Sequence, residues 1–191
     1  MAELVKSMSG ADKVVIVSPP VLRQNKEEPG SKYQPRALDV HTDYSPGGAE
    51  WTAQARCDGE SYSRVLFLNI WRPLSAPPQD WPLAFIDART VGPDEGVSYP
   101  MFIVDKIPEK LPMDPLPPYT VEGANFVYQP GHEWRYFSDM TVDEVLVFKL
   151  YDSDCKKGSK CWRVPHTAFP DTREGTIPRE SVEVRTICYF K

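Results

Sequence analysis

The sequence predicts an all-β protein, a barrel or jelly roll with few short helices. Twenty prolines and eleven glycines divide its 191 residues into short pieces, and these pieces are rich in the β-branched and aromatic residues that favour strands. No stretch keeps the 3.6-residue apolar period of a long helix. Many short strands separated by turns are typical of barrels and jelly rolls. A chain of this length has room for one core, so we expect a single domain over residues 1–191.

The strand candidates follow one another along the chain. Residues 14–17 form a compact β-branched run, and residues 64–71 (RVLFLNIW) are the strongest candidate for a buried strand. Shorter candidates are residues 83–88, 124–128, 133–137 and, with clean alternation, 181–190. Residues 141–144 fit a capping box, which predicts one helical turn leading into a strand at 145–150.

Two segments are predicted as irregular. Residues 18–36 are polar and proline-rich, so we expect residues 1–36 to form an N-terminal arm. Residues 92–120 are also rich in proline and alternate apolar with charged residues. Because long loops in compact domains are usually functional, residues 92–120 are a candidate lid over a site.

Composition excludes several classes of protein. A net charge of −5 argues against a nucleic-acid-binding protein, and no run approaches the ~18 apolar residues of a membrane span. The first ten residues lack a hydrophobic signal core, and the four cysteines are scattered without metal-binding spacing. We therefore expect a cytoplasmic protein with reduced thiols that acts on a small molecule.

The tripeptide His41-Thr42-Asp43 is the strongest chemical signal. A histidine and a carboxylate two residues apart supply two of the three ligands of a 2-His-1-carboxylate iron site. The chain has three histidines, which leaves His132 and His166 as candidates for the third ligand. His132 lies in a Pro-Gly turn, where histidines are mostly solvated, whereas His166 begins a predicted strand. We therefore prefer His166.

A second signal lies at the start of the last predicted strand. Arg179 and Ser181 share one face of that strand, and a guanidinium beside a hydroxyl suits a carboxylate such as that of 2-oxoglutarate. Arg185 shares the face and is the alternative anchor, although it could instead pair with Glu183 or Asp87. The competing interpretation of Arg179 is a surface residue that follows Pro178.

Candidate substrate contacts come from the most apolar strand and from nearby aromatic residues. Asn69, Trp71 and Arg72 end that strand, where side chains meet solvent or a cavity. The alternative is that they only cap the strand, with Arg72 stacked on Trp71. Tyr128 and Trp134 are interpreted first as core or rim aromatics and second as one side of a substrate pocket.

Several short segments carry a resemblance to a known family. They are residues 40–44 (VHTDY), 69–73 (NIWRP), 82–89 (PLAFIDAR), 134–140 (WRYFSDM), 143–146 (DEVL), 151–153 (YDS), 166–169 (HTAF) and 179–185 (RESVEVR). With them the chain resembles the hydroxylase/desaturase family that includes fungal gibberellin desaturase and the bacterial cephalosporin 7-alpha-methoxylation protein. Many members of that family lie in fungal secondary-metabolite clusters.

The resemblance implies a double-stranded β-helix that uses Fe(II), 2-oxoglutarate and O2. By position, His41, Asp43 and His166 would be the iron ligands, and Arg179 with Ser181 would bind 2-oxoglutarate. The expected reaction is hydroxylation, desaturation or oxidative cyclisation of a small secondary metabolite. Family members usually carry a longer N-terminal region, so we expect a more open pocket or one covered by a partner subunit in a homodimer.

Two alternatives stay open at this point. The same triad could serve a metal-dependent oxygenase, isomerase or cyclase that does not use 2-oxoglutarate. Alternatively, the chain could be a catalytically inactive subunit that has kept the barrel, although the intact triad counts against this.

Overall fold

The computed structural model describes residues 1–24, 32–102, 120–155 and 161–191. Its elements, in chain order, are α1 (Ala2–Ser9), β1 (Lys13–Ile16), β2 (Val21–Gln24), β3 (Tyr33–Pro35), β4 (His41–Thr42), α2 (Pro46–Arg56), β5 (Arg64–Pro73), β6 (Leu83–Ile86), β7 (Val97–Phe102), β8 (Thr120–Asn125), β9 (Trp134–Tyr136), β10 (Leu146–Asp152), β11 (His166–Ala168) and β12 (Glu180–Phe190). No helix in the described ranges is both long enough and apolar enough to cross a membrane.

The strands form two sheets. Sheet I has the order β10-β5-β12-β2-β3, with β1 also paired to β12, and sheet II has the order β7-β8-β4-β11-β6-β9. Pairing is antiparallel except between β2 and β3. Side chains from both sheets share one apolar cluster, as when Phe85 of sheet II packs on Phe148 of sheet I at 4.9 Å between ring centroids. The predicted all-β jelly roll is confirmed.

Helix α2 closes the apolar end of the space between the sheets. Ser45 caps it by accepting a hydrogen bond from the Gly48 amide, and Pro46 occupies its first turn. Gly48 approaches β8 so closely that a Cβ there would lie 2.5 Å from the carbonyl oxygen of Glu122. This close packing buries Ala49 completely in the central cluster.

Most predicted strands are present. The elements that were not predicted lie partly in the segments predicted as loops and partly outside them, as α2 does. The arm contributes β2 and β3, and the candidate lid contributes β7. The strand predicted at 124–128 ends at Asn125, after which Val127 and Tyr128 are exposed. Residues 25–31 of the arm and residues 103–119, which make up most of the candidate lid, lie outside the described residues.

Candidate metal centre

Strand pairing brings the predicted ligands together. β4 and β11 are neighbours in sheet II, with His41 directly opposite His166, and Asp43 follows β4 immediately. One ligand atom from each of the three residues lies within 4.8 Å of the others, and all three residues are buried. His41 Nε2 is 3.8 Å from Asp43 Oδ1. Two imidazole nitrogens and one carboxylate oxygen match the donor set of a facial iron triad.

Backbone carbonyls orient both imidazole rings. His41 Nδ1 lies 2.8 Å from the carbonyl oxygen of Asp39, and His166 Nδ1 lies 3.1 Å from that of Val164. Because a carbonyl can only accept, each Nδ1 carries the proton and each Nε2 presents a lone pair. This arrangement fixes the tautomer that metal-ligating histidines require.

The electrostatic environment keeps His166 and Asp43 in the forms that can bind a metal at neutral pH. Burial, with a smaller contribution from His41, lowers the pKa of His166 to about 4, so its imidazole is neutral. Burial alone would raise the pKa of Asp43, but the Arg185 guanidinium and the two histidines together hold it below its usual range. The carboxylate is therefore ionised.

A small pocket opens beside His41 and His166. Its other lining residues come from both sheets and from the N-terminal arm, namely Arg23, Ala37, Trp71, Leu83, Thr167, Ala168, Arg179 and Glu183. The cavity measures about 20 Å³, which is room for roughly one water molecule.

Arg179 and Ser181 are buried in this region with unused hydrogen-bonding capacity. Arg179 is 3% exposed and donates to the carbonyl oxygen of Trp81 at 2.6 Å. Its Nε and the Ser181 hydroxyl have no partner among the described residues. Burial and then the neighbouring Arg23 lower the pKa of Arg179 to about 10, so it remains cationic at neutral pH. Because buried polar groups are normally satisfied, these two residues suit an anionic ligand such as a carboxylate.

The structure places Arg185 on the metal centre itself. Its Nε donates to Asp43 Oδ2 at 2.9 Å and its Nη2 to Asp43 Oδ1 at 3.1 Å. The same Nη2 donates to Glu183 at 2.7 Å. The guanidinium of Arg185 thus contacts Asp43 and Glu183. Of the two partners that the sequence suggested, Glu183 and Asp87, the structure shows Glu183.

The candidate substrate residues divide into two groups. Trp71 lines the pocket, and Asn69 lies fully buried opposite Arg185 on the same sheet face. Arg72 does not reach the pocket, because alternation along β5 places it opposite Val182 on the outer face of sheet I. Tyr128 is 83% exposed after the end of β8, and Trp134 is 40% exposed on the edge strand β9, so neither lines the pocket.

His132 lies away from the triad. Its Nε2 forms a 2.6 Å contact with Glu95, and its side chain is only 3% exposed. The expectation of a solvated turn histidine is therefore wrong, since an acidic partner covers the ring. His166 is the histidine that the structure brings to His41 and Asp43.

Four residues around the site are not among the site residues that the sequence predicts. Phe85 and Phe148 pack against the His166 ring at centroid distances of 6.2 Å and 4.8 Å, and make one side of the centre apolar. Glu183 shares its strand face with Arg179 and Arg185, a signal that alternation along the last strand provides. Arg23 comes from β2, inside the segment predicted as an irregular arm, and no sequence pattern indicates its position.

Comparison with known proteins agrees with this geometry. The Fe(II)/2-oxoglutarate-dependent dioxygenase nvfI of Aspergillus novofumigatus is 33% identical over an alignment 195 residues long, which covers 99% of this chain and 64% of that protein. The hydroxylase/desaturase asaB of Aspergillus flavus is 38% identical over 136 residues, covering 68% of this chain and 57% of that protein. The solved structure of the iron and alpha-ketoglutarate-dependent endoperoxidase NvfI superposes with a TM-score of 0.78 at 29% identity.

That superposition covers 98% of this chain and 66% of the solved chain. The chain thus spans less than two thirds of the length of these relatives. A family model described as an oxidoreductase/YMDC permease-like domain matches residues 1–189. The chain therefore belongs to the oxidoreductase/YMDC permease-like domain family and is a relative of fungal Fe(II)/2-oxoglutarate-dependent dioxygenases and hydroxylase/desaturases.

Proposed function

We propose that this protein is an Fe(II)- and 2-oxoglutarate-dependent oxygenase that oxidises a small secondary metabolite. One observation carries the proposal. A buried 2-His-1-carboxylate cluster lies next to a buried guanidinium and hydroxyl that have unused hydrogen-bonding capacity. The first group suits Fe(II) and the second suits the far carboxylate of a keto acid.

The residues would divide the work in the following way. His41, His166 and Asp43 would hold the metal on one face and leave the opposite positions open. Arg179 and Ser181 would bind the distal carboxylate of 2-oxoglutarate and thereby orient its keto-acid end. When bound, the metal and keto acid supply oxidation of a C–H bond by O2, with 2-oxoglutarate converted to succinate and CO2.

The apolar surroundings support this chemistry. Phe85 and Phe148 exclude water from one side of His166. The centroid of the Trp71 ring lies 5.8 Å from the Arg179 guanidinium carbon. Excluding water strengthens the charge–charge contacts of the site and limits side reactions. The proposal extends to a cytoplasmic protein that forms a homodimer.

The direct test is an anaerobic titration of Fe(II)-loaded protein with 2-oxoglutarate, monitored by visible absorption. The wild type should develop the weak charge-transfer band of a metal-chelated keto acid. Arg179→Gln should bind the keto acid at least about tenfold more weakly, because a charge-assisted hydrogen bond contributes about 1.5–3 kcal/mol. Arg173→Gln is the control, since Arg173 pairs with Asp139 and Asp171 at the surface.

The possible results separate the alternatives. Iron binding by the wild type without the band would contradict the keto-acid part of the proposal and favour an enzyme that does not use 2-oxoglutarate. Equal affinities in the Arg179→Gln and Arg173→Gln variants would contradict the role given to Arg179.

A further inference from the structure

A row of alternating charges links the N-terminal arm to the metal centre. Arg23 donates to Glu183 Oε1 through Nε at 3.1 Å and Nη2 at 2.9 Å. Arg185 donates to the same Oε1 at 2.7 Å and to both oxygens of Asp43. The order is therefore Arg23, Glu183, Arg185 and Asp43, cation next to anion throughout.

The row is largely withdrawn from solvent. The side chains of Asp43 and Glu183 are 9% and 7% exposed, and those of Arg185 and Arg23 are 16% and 18% exposed. Burial of charges is tolerated only when they are paired and hydrogen-bonded. Glu183 accepts from both guanidinium groups. Without Glu183, Arg23 and Arg185 would each lose this hydrogen-bond acceptor.

The geometry of Arg185 fixes the plane of the Asp43 carboxylate. A guanidinium that contacts both oxygens of a carboxylate prevents the carboxylate from rotating about its bond to Cβ. With the oxygens so placed, Asp43 Oδ1 faces His41 Nε2 at 3.8 Å. The position of Arg185 depends in turn on its contact with Glu183.

We propose that Glu183 is a positioning residue of the metal centre, which orients Asp43 through Arg185 and is itself fixed by Arg23 from β2. This inference rests on the proposed function, because it assumes that Asp43 is a metal ligand. Substitution of a group that hydrogen-bonds a metal ligand, as Arg185 does with Asp43, commonly changes metal affinity by about 10- to 100-fold. Glu183 acts one step further out, so we expect an effect at the lower end of that range. The structural consequence is that the N-terminal arm contributes to the metal centre without contacting a ligand.

Two substitutions separate position from charge. Glu183→Gln keeps the length of the side chain and an acceptor oxygen where Oε1 lies. Its amide nitrogen would replace Oε2, which is 3.4 Å from Asn69 Nδ2. Asn69 Oδ1 has no partner in the described part of the chain, so a rotated Asn69 amide can accept from the new nitrogen. Glu183→Asp keeps the charge but is one methylene too short to contact Arg185 and Arg23 together.

The experiment is a titration of metal-free protein with Co(II) alone, followed by its visible ligand-field spectrum. Glu183→Asp should bind Co(II) about tenfold more weakly than the wild type and give a spectrum of altered intensity. Glu183→Gln should stay within about threefold of the wild type, with an unchanged spectrum. Asp152→Glu is the matched control, because it changes by one methylene the length of another buried carboxylate side chain, which accepts from Arg64 at 2.9 and 2.8 Å.

The outcomes are distinguishable. If Glu183→Asp binds like the wild type while Glu183→Gln binds weakly, charge alone matters and the positioning role is wrong. Equal affinity in all variants, with Co(II) bound by the wild type, overturns the inference but leaves the proposed function intact. Failure of the wild type to bind Co(II) or Fe(II) overturns the metal centre and the inference together.

Discussion

The inner face of strand β12 differs between the two halves of the strand. In its first half the inner face carries Ser181, Glu183 and Arg185, and β2 lies alongside it. In its second half the inner face carries Ile187 and Tyr189, which are 0% and 1% exposed, and β1 lies alongside. The same alternation therefore points buried charges at the metal centre and buried apolar groups at the central cluster.

The two halves differ in how well their polar groups are satisfied. In the apolar half the one inner polar group, the Tyr189 hydroxyl, donates to the carbonyl oxygen of Ala53 at 2.8 Å. In the polar half the Ser181 hydroxyl has no partner among the residues that the structure describes. A buried hydroxyl without a protein partner is unusual, so the polar half of β12 supports the proposed binding of a carboxylate by Ser181.

The largest expected effect on stability comes from truncating the apolar half. Ile187→Ala should lower the free energy of unfolding by about 2–5 kcal/mol, because it leaves a cavity in a region that is fully buried. Urea unfolding of the metal-free protein measures this change. Fe(II) affinity should stay within about twofold at a temperature where the variant is folded. A variant that loses iron but keeps its stability would contradict the division of β12.

A charged pair beside the apolar half should have a smaller effect. Asp152 is 4% exposed and accepts from Arg64 and Lys149. Asp152→Asn should lower the free energy of unfolding by about 1.5–3 kcal/mol, the value of hydrogen bonds to a charged group. Arg64 and Lys149 would still reach solvent, since their side chains are 32% and 30% exposed.

The pH dependence of that effect has a defined sign. Burial by itself would raise the pKa of Asp152, but hydrogen bonds from Arg64 and Lys149 lower it below its usual value. A carboxyl group whose pKa is lower in the folded state stabilises the protein at neutral pH, and this contribution is lost as the pH falls below about 4. The difference in unfolding free energy between wild type and Asp152→Asn should therefore shrink on acidification. A difference that grew on acidification would be inconsistent with the pairing.

Removing the satisfied hydroxyl of the apolar half should cost less. Tyr189→Phe leaves the ring in place and removes one hydrogen bond to Ala53, so the free energy of unfolding should fall by about 1 kcal/mol. Thermal or urea unfolding measures this change in the free energy of unfolding, with the wild type and Ile187→Ala as the two reference points. No change at all would mean that the buried hydroxyl is not satisfied by Ala53.

Removing the unsatisfied hydroxyl of the polar half should have the smallest effect on stability. Ser181→Ala should leave the free energy of unfolding within about 0.5 kcal/mol of the wild type, because no protein hydrogen bond is lost. The same variant should bind 2-oxoglutarate about tenfold more weakly, since a bond to a carboxylate is removed. Calorimetric titration of the Fe(II)-loaded protein under anaerobic conditions measures the second effect. A loss of stability without a loss of keto-acid affinity would reverse the interpretation of Ser181.

Much of the site is predictable from local patterns. His41 and Asp43 are two residues apart in one short segment. Because His166 begins a strand, both histidines could be expected at one end of the sheets. Alternation along the predicted last strand places Arg179 and Ser181 on a shared face, although β12 itself begins at Glu180. These predictions need only the two-residue period of a strand and the ligand preferences of iron.

The parts that the sequence does not predict depend on long-range packing. Strand β5 continues to Pro73, so the two-residue alternation of the strand points Arg72 outward. The strand predicted from the sequence ends at residue 71, which leaves Arg72 free to face the pocket. From the sequence, a carboxylate such as Glu183 beside a site for an anion is unfavourable, because like charges repel. The structure shows that Arg23 pairs with Glu183. Arg23 lies in a polar, proline-rich segment whose strand forms only because β12 provides an edge.

The central claim is that His41, Asp43 and His166 form one metal centre. The most direct measurement is the amount of Fe(II) bound per chain under anaerobic conditions in the wild type, His166→Ala and His132→Ala. We expect one Fe(II) per chain in the wild type and in His132→Ala, and none in His166→Ala. Iron retained by His166→Ala but lost from His132→Ala would contradict it.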